Sequence, residues 1–358
     1  MLEKKTFKMN SDEKYMARCL QLAKLGEGSV SPNPMVGAVI VHNDRIIGEG
    51  FHHIYGEAHA EPNAISSVQN QDLLKESTLY VNLEPCSHYG KTPPCANLIV
   101  SKKIKRVVIG CLDPNPRVSG KGVKILKNGG VSVDVGVLEE ESRKLNRRFI
   151  CFHENKRPFI ILKWAQTKDG FMDAIRKDAV QGALKISNPV TQQLTHKMRS
   201  ENMAIMVSTN TVLLDNPLLN NRFWKGKAPI RIAIDRKGII PETYNIKDQQ
   251  TRTIIFTSKD TKSKPNLEFI KIPDNVPNLP LILKYLYDLN IQSVLVEGGA
   301  KLLKSFIDSG LWDEANIEIS PVEIGCGVEA PTLTHAIEQS RMIIENHPCY
   351  HYRRCKSY

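Results

Sequence analysis

His59-Ala60-Glu61, then Pro85-Cys86, then Cys95 after the eight residues Ser87 to Pro94, is the stretch on which the reading of this chain turns. One imidazole and two thiolates fill three positions of a tetrahedral zinc and leave a fourth for water. Glu61 stands two residues past the histidine and is not needed as a ligand, so its carboxylate is free to move protons for that water. His88 offers the competing arrangement, a fourth protein ligand that would close the site and make it structural. Pro62 is tolerated only in the first turn of a helix, which puts His59 and Glu61 at a helix N-terminus, where the dipole favours a carboxylate. Cys95 opens a second predicted helix, and a thiolate there is favoured for the same reason.

A chain of 358 residues suits two domains. Its hydrophobic content of 41% and charged content of 24% are those of a globular protein. No apolar run approaches the length of a membrane span, and the lysine-rich start has no apolar core, so neither a membrane protein nor a secretory signal is expected. Eight cysteines over this length are too sparse for a disulfide framework, and a reducing cytoplasm is the simplest setting. Cys19, Cys111 and Cys151 read as small core residues, and Cys326, Cys349 and Cys355 lack a histidine or a close cysteine pair to make a second metal site. The net charge of +11 favours anionic ligands, from nucleic acid to phosphorylated metabolites and dinucleotides. The basic residues are dispersed. The densest group, Lys102-Lys103-Ile104-Lys105-Arg106, reads as a solvated helix end.

In chain order, Ser11 is expected to cap a helix with Met16, Cys19, Leu20 and Ala23 on one face. Strands are expected over 35–41 and 45–50, joined by the Asn43-Asp44 turn as a hairpin. Further strands are expected over 78–83, 106–111 and 131–135, giving a mixed sheet with helices on its faces. The charge-rich segment 139–157 holds the domain junction, near 147–157. Beyond it, strands over 159–164, 203–208, 230–235, 253–257, 293–297 and 315–320 alternate with helices over 188–198, 280–289 and 301–309, and the tail 350–355 reads as a last strand. That alternation is α/β.

The segment Glu84 to Cys95, together with Ser31-Pro32-Asn33-Pro34-Met35-Val36-Gly37 and Gly50-Phe51-His52, closely resembles the bifunctional riboflavin-biosynthesis deaminase/reductase family. The short motif His-x-Glu with Pro-Cys is shared by zinc deaminases in general, whose cysteines are usually two residues apart. The resemblance implies a cytidine-deaminase-like α/β/α sandwich with zinc over 1–150 and a dihydrofolate-reductase-like α/β domain using NADPH over 151–358. It implies zinc ligands His59, Cys86 and Cys95, with Glu61 as the proton shuttle. It moves Asn33, His52 and His88 toward contacts with a pyrimidine.

In the second half, Glu297-Gly298-Gly299 follows a predicted strand and precedes a helix, where glycines let a phosphate approach free N–H groups. Many α/β proteins turn strand into helix this way without a ligand. Gly120-Lys121-Gly122 fails as a nucleotide fingerprint because its third glycine is missing. The resemblance implies cofactor contacts at Ala165, Lys185, Thr211, Asp215, Arg236, Gly298, Gly299, Ala300, Lys301, Leu302 and Leu303. It implies substrate contacts at Lys163, Ala183, Arg199, Leu219, Arg222 and Glu297, and guanidinium forks suit a phosphate at the two arginines. Ala183 and Lys185 stand where the family carries serine and tryptophan, and Arg236 where it often has serine. These departures leave two outcomes: Arg236 takes the 2′-phosphate of NADPH, or the reductase is weakened.

Taken together, the expected activity is hydrolytic deamination of a phosphorylated diaminopyrimidine, followed by NADPH-dependent reduction of its ribosyl chain. The expected protein is a cytoplasmic homo-oligomer, joined through the reductase domain, that binds neither nucleic acid nor membrane. One rival is a tRNA or nucleobase deaminase with a C-terminal binding module. Another is a deaminase whose second domain is only an oligomerisation scaffold.

Overall fold

A computed structural model describes residues 9–88, 93–116, 118–274 and 278–355. The N-terminal segment 1–8 and the middle of the cysteine spacer, 89–92, lie outside these. The chain divides into two compact units, Met1–Asn155 and Lys156–Tyr358.

The first unit runs α1 (Ser11–Lys24), β1 (Gly37–His42), β2 (Arg45–Phe51), α2 (Ala60–Ser67), β3 (Thr78–Leu83), α3 (Cys95–Ser101), β4 (Arg106–Cys111), α4 (Lys121–Asn128), β5 (Ser132–Val135), α5 (Glu139–Leu145) and α6 (Arg147–Asn155). Its sheet has the order β2-β1-β3-β4-β5. β1 is antiparallel to both neighbours, and β3, β4 and β5 are parallel. Side chains alternate across a strand, so β1 serves two cores. Ala38 and Ile40 pack with α2, α3 and α4, while Val39 and Val41 meet Met16, Cys19 and Leu22 of α1. The result is three layers, α/β/α.

One helix start differs from expectation and another agrees with it. The cap of α1 is Asn10, not Ser11: Asn10 accepts the Glu13 N–H, and the Glu13 carboxylate accepts the Asn10 N–H, both at 2.9 Å. That reciprocal pair satisfies two end donors at once, which a serine one residue on would not. α2 begins at Ala60, so Pro62 sits inside the first turn, where its missing N–H has no intrahelical partner to lose. Helices α5 and α6 occupy the segment read as a charged junction. Their short, charge-rich turns show too little periodicity to be read as helices.

The second unit runs β6 (Phe159–Gln166), β7 (Phe171–Asp173), α7 (Pro189–Ser200), β8 (Ala204–Ser208), α8 (Thr209–Asp215), β9 (Ile230–Ile234), β10 (Thr253–Thr257), β11 (Leu267–Lys271), α9 (Asn278–Asp288), β12 (Ser293–Val296), α10 (Ala300–Asp308), β13 (Glu314–Ile319), β14 (Val328–Glu329), β15 (Ala336–Ile344) and β16 (His347–Arg354). Nine strands form one sheet in the order β11-β10-β9-β8-β12-β6-β13-β16-β15, and β14 pairs with β7. The strands from β11 through β13 are parallel, and the β15–β16 hairpin closes one edge antiparallel. Near-continuous apolar runs such as β10, buried at every position, are what a parallel sheet covered on both faces requires. The chain builds outward from β8 to β11 and then returns to insert β12 between β8 and β6. Ligands of such sheets sit at the carboxyl ends of the strands beside a switch of this kind. Among the described residues, no helix is long and apolar enough to cross a membrane.

Candidate active sites

His59 is the N-cap of α2, with extended backbone and no capping bond from its side chain, so the imidazole is free for other partners. Cys86 lies just past β3, and Cys95 is the first residue of α3. The His59 Nδ1 is 3.6 Å from the Cys86 Sγ and 3.4 Å from the Cys95 Sγ. Zinc–sulfur and zinc–nitrogen bonds at a tetrahedral angle place S and N about 3.5 Å apart, so the three donors already stand at the spacing one zinc needs. Among the described residues this is the one group of side chains able to hold a metal. His88 is exposed and outside it, so the closed four-ligand arrangement is not formed. The Cys95 thiol and N–H, with His59 alongside, hold the Cys86 thiol well below the ordinary thiol range.

Glu61 is 2% exposed, and its Oε2 has no hydrogen-bond partner. Burial, then the charge on Cys86, pushes its carboxyl up to about 7. A buried carboxylate oxygen without a partner beside three donors at zinc spacing fits the proton carrier of a hydrolytic site.

The helix start that carries these groups is fixed by a close approach. A Cβ at Gly50 of β2 would run into the Ala64 N and the Ala60 O of α2. His52, just past the end of that strand, is buried and donates from Nδ1 to the Ala58 carbonyl at 3.0 Å. Its Nε2 is then an acceptor for the Asn33 amide at 3.1 Å. Burial holds its imidazole below the ordinary value, which keeps it neutral. The His52 ring meets His59 edge-on at 5.4 Å between centroids, so Asn33, His52 and the ligand set form one continuous wall.

Three buried residues that build this wall were not singled out from the sequence. Asn82 and Asn146 both donate to the Met35 carbonyl, at 3.1 and 2.8 Å, and Asn146 also accepts the Met35 N–H at 2.8 Å. They hold the turn that presents Asn33. Glu84 accepts the N–H groups of Asp113, Gly120 and Val123 at 3.3, 3.0 and 3.1 Å. The N-terminus of α4, rejected above as a nucleotide fingerprint, therefore has an anion after all, and it is the protein's own carboxylate. The signal for all three was a polar side chain in or beside an apolar strand or charged turn, which by itself does not say what it bonds.

In the second unit a cleft of about 1470 Å³ opens at the carboxyl ends of β8 and β12. Lys163, Ala165, Ala183, Lys185, Arg199, Thr211, Asp215, Leu219, Arg222, Arg236, Glu297, Gly299, Ala300, Lys301 and Leu302 all line it. Gly298, at φ 117 where only glycine is comfortable, sits buried in the turn behind them. Ser208 stitches that turn: its N–H donates to the Gly298 carbonyl at 3.0 Å, and its hydroxyl accepts the Gly299 N–H at 3.2 Å.

Some side chains are not where the resemblance implied. Leu303 points into the core, because α10 buries Leu302, Leu303, Phe306 and Ile307 against the sheet. Its N–H is bonded to the Gly299 carbonyl, so it offers the cleft neither side chain nor donor. Leu219 presents backbone in the left-handed region, φ 52, while its side chain joins the core under α8. Arg199 is not a free phosphate anchor. Its Nε and Nη2 grip Glu297 at 2.7 and 2.6 Å, and its Nη1 donates to the Asn220 carbonyl at 2.7 Å. Burial would raise the Glu297 carboxyl, but the guanidinium beside it holds it below its ordinary value. Two buried opposite charges this close satisfy one another before any ligand arrives. The exposed cation at this end is Arg222, whose guanidinium lies 4.7 Å over the Phe223 ring.

Residues 9–111 match the family profile of the cytidine and deoxycytidylate deaminase zinc-binding region, and residues 158–350 match that of the RibD C-terminal domain. The riboflavin biosynthesis protein RibD of Aquifex aeolicus is 40% identical over 92% of each chain. The chain belongs to the RibD family. RibD of Escherichia coli is 34% identical over 88% of this chain and 89% of its own. The crystal structure of a diaminohydroxyphosphoribosylaminopyrimidine deaminase/5-amino-6-(5-phosphoribosylamino)uracil reductase from Thermotoga maritima superposes with a TM-score of 0.86 at 38% identity, covering 96% of this chain and 99% of that one. RibD of Acinetobacter baumannii gives 0.85 at 30% identity, over 96% and 98%. The protein is a bifunctional zinc deaminase and NADPH-dependent reductase of riboflavin biosynthesis, as the RibD relatives and both profiles indicate.

Proposed function

We propose that the first unit removes the 2-amino group of 2,5-diamino-6-(5-phosphoribosylamino)pyrimidin-4(3H)-one, and that the second reduces the resulting 5-amino-6-(5-phosphoribosylamino)uracil to its ribityl product. His59, Cys86 and Cys95 would hold the zinc, which when bound lowers the pKa of water and so supplies hydroxide near neutrality. Asn33 and His52 orient the pyrimidine through the Asn33 amide, whose direction His52 fixes, and His88 contacts the substrate from the rim. Glu61 takes a proton from the attacking water and returns it to the departing nitrogen. The C–N bond breaks, ammonia leaves and the ring carbon becomes a carbonyl. The observation that carries this reading is the buried, unpartnered Glu61 oxygen beside three donors at zinc spacing.

In the reductase cleft, the first N–H groups of α10 at Ala300 and Lys301 suit the cofactor phosphates, since a helix start has donors without intrahelical partners. Thr211 and Asp215 flank the cofactor, Ala165 and Lys185 lie along it, and Arg236 meets its 2′-phosphate. Lys163, Ala183 and Arg222 face the phosphorylated sugar, with Glu297 held toward it by Arg199. NADPH, when bound, would supply a hydride to C1′; the C1′–O4′ bond breaks and O4′ takes up a proton, giving the open ribityl chain. The protein is cytoplasmic and works on small phosphorylated ligands. Its self-association runs through the second unit, where the edge strand β15 exposes Ile337, Met342 and Ile343. Sedimentation of the full chain against an Ile343→Lys variant checks the last point, and an unchanged mass would remove that edge.

The test is a coupled assay following ammonia release and NADPH loss together. Glu61→Gln should keep zinc and lose deamination by at least about a hundredfold. Survival of deamination within about tenfold would reject the proton role. Ammonia without NADPH loss in the wild type would leave the second unit silent.

A further inference from the structure

The segment 174–187, between β7 and α7, forms the cleft wall that carries Ala183 and Lys185. Its fastening is Arg176, whose side chain is 3% exposed. Nε donates to the Asp173 Oδ2 at 2.7 Å. Nη2 reaches the same Asp173 Oδ2 at 2.5 Å and the Asp215 Oδ1 at 2.6 Å. Nη1 donates to the Leu214 carbonyl at 3.2 Å and the Gln181 carbonyl at 3.4 Å. A guanidinium has five N–H donors, and these contacts occupy every nitrogen. Arg176 thus lies in the cleft wall with no donor left for a ligand.

What it holds is Asp215, at the end of α8. One carboxylate oxygen of Asp215 is taken by Arg176, and the side chain remains partly open to the cleft. On its other side Arg176 holds Asp173, whose Oδ1 accepts the N–H groups of Ala174 and Leu184 at 3.0 Å each. The clasp therefore ties both ends of 174–184 to one carboxylate and fastens the loop to α8. Without the guanidinium, two carboxylates would stand close together in a cleft meant for a phosphate-rich dinucleotide. Each would repel the other and the incoming anion.

We infer that Arg176 is a positioning residue for the cofactor half of the cleft, acting through Asp215 and the 174–187 wall rather than by touching the ligand. This rests on the reading of the cleft as an NADPH site. A single ammonium cannot span two carboxylates and two carbonyls, so lysine keeps the charge but not the clasp.

The experiment uses the full-length protein with Arg176→Met, Arg176→Lys and Asp215→Asn, measuring NADPH Kd by fluorescence titration, reductase kcat and KM, and ammonia release. Arg176→Met should raise the NADPH Kd and KM at least about tenfold with kcat within about threefold, because truncating one member of a buried charge pair costs that much or more. Arg176→Lys should fall between, and ammonia release should not change. In an Asp215→Asn background, Arg176→Met should add less than about threefold, since coupled residues are non-additive. A wild-type Kd in Arg176→Met, or independent multiplication of the two single effects, overturns the inference. Where the methionine variant does not fold, a wild-type Kd in Arg176→Lys does the same. A wild-type protein that binds no NADPH would instead remove the reading on which the inference rests.

Discussion

Glu84→Ala tests how the cysteine loop is held. The carboxylate accepts three backbone N–H groups that come from the 113–123 segment, and it sits two residues before Cys86. Truncation leaves all three donors without their acceptor. The Asp113 N–H is buried, whereas Gly120 is exposed and Val123 half-buried, so two of the three regain some water. An orphaned buried donor costs roughly 1–3 kcal/mol, and with partial rehydration the sum is about 3 kcal/mol. In a unit of this size that lowers the transition temperature by about 6–12 °C. The loop is also a metal support, and loss of such an outer partner weakens metal affinity about 10–100-fold. Glu84→Gln keeps one acceptor but turns an amide N–H₂ on at least one of the same donors, so it should fall between alanine and wild type. The assays are competition of the zinc-loaded protein against a chelating dye and the thermal transition of the first unit. A Glu84→Ala protein with zinc affinity within about twofold of wild type and an unshifted transition would refute the account, because the loop would then hold its shape without the carboxylate.

Two further predictions concern the second unit. Glu318 accepts hydrogen bonds from Ser187, Thr191 and His347 at 2.6, 2.7 and 2.8 Å and lies 4.0 Å from the Lys163 Nζ. Glu318→Gln should keep the hydroxyl bonds by rotation yet remove the charge beside Lys163, lowering reductase kcat/KM about tenfold while ammonia release stays level; an unaltered kcat/KM would sink the coupling. Burial, with Arg199 and Arg222 nearby, pushes the His196 imidazole down to about 4. The unfolded chain takes up that proton near 6.5, so between about 6.5 and 4 it binds more protons than the folded one, and stability falls as pH falls. Urea midpoints should drop across that window by more in the wild type than in His196→Gln, and parallel curves would show that His196 does not titrate differently on unfolding.

What was legible in the sequence was chemistry carried by residue type at short spacing. His59, Glu61, Cys86 and Cys95 announce their site because each must be that residue, and their intervals are set by a helix start and a strand end. The alternation of strands and helices in the second half was legible for a similar reason, since buried parallel strands leave continuous apolar runs. β15 left no such trace, because nearly all its residues face solvent and no period-two pattern survives. The supporting groups were illegible for a deeper reason. Asn146 acts on Met35, Glu84 on Val123, Arg176 on Asp215 and Arg199 on Glu297, partners 111, 39, 39 and 98 residues apart. No local rule encodes such pairings. A lone arginine reads equally as a ligand anchor or as half of an ion pair, and only the fold decides. At Arg199 and Arg176 it decided for the pair. The two buried arginines of the cleft are therefore already balanced from within. In the proposed function the anionic substrate and cofactor would meet the exposed cations Lys185, Arg222 and Arg236, the largely buried Lys163 beside Glu318, and the N–H groups at the start of α10. The binding of both ligands should accordingly weaken with salt, since exposed cations are screened in a way that a buried pair is not.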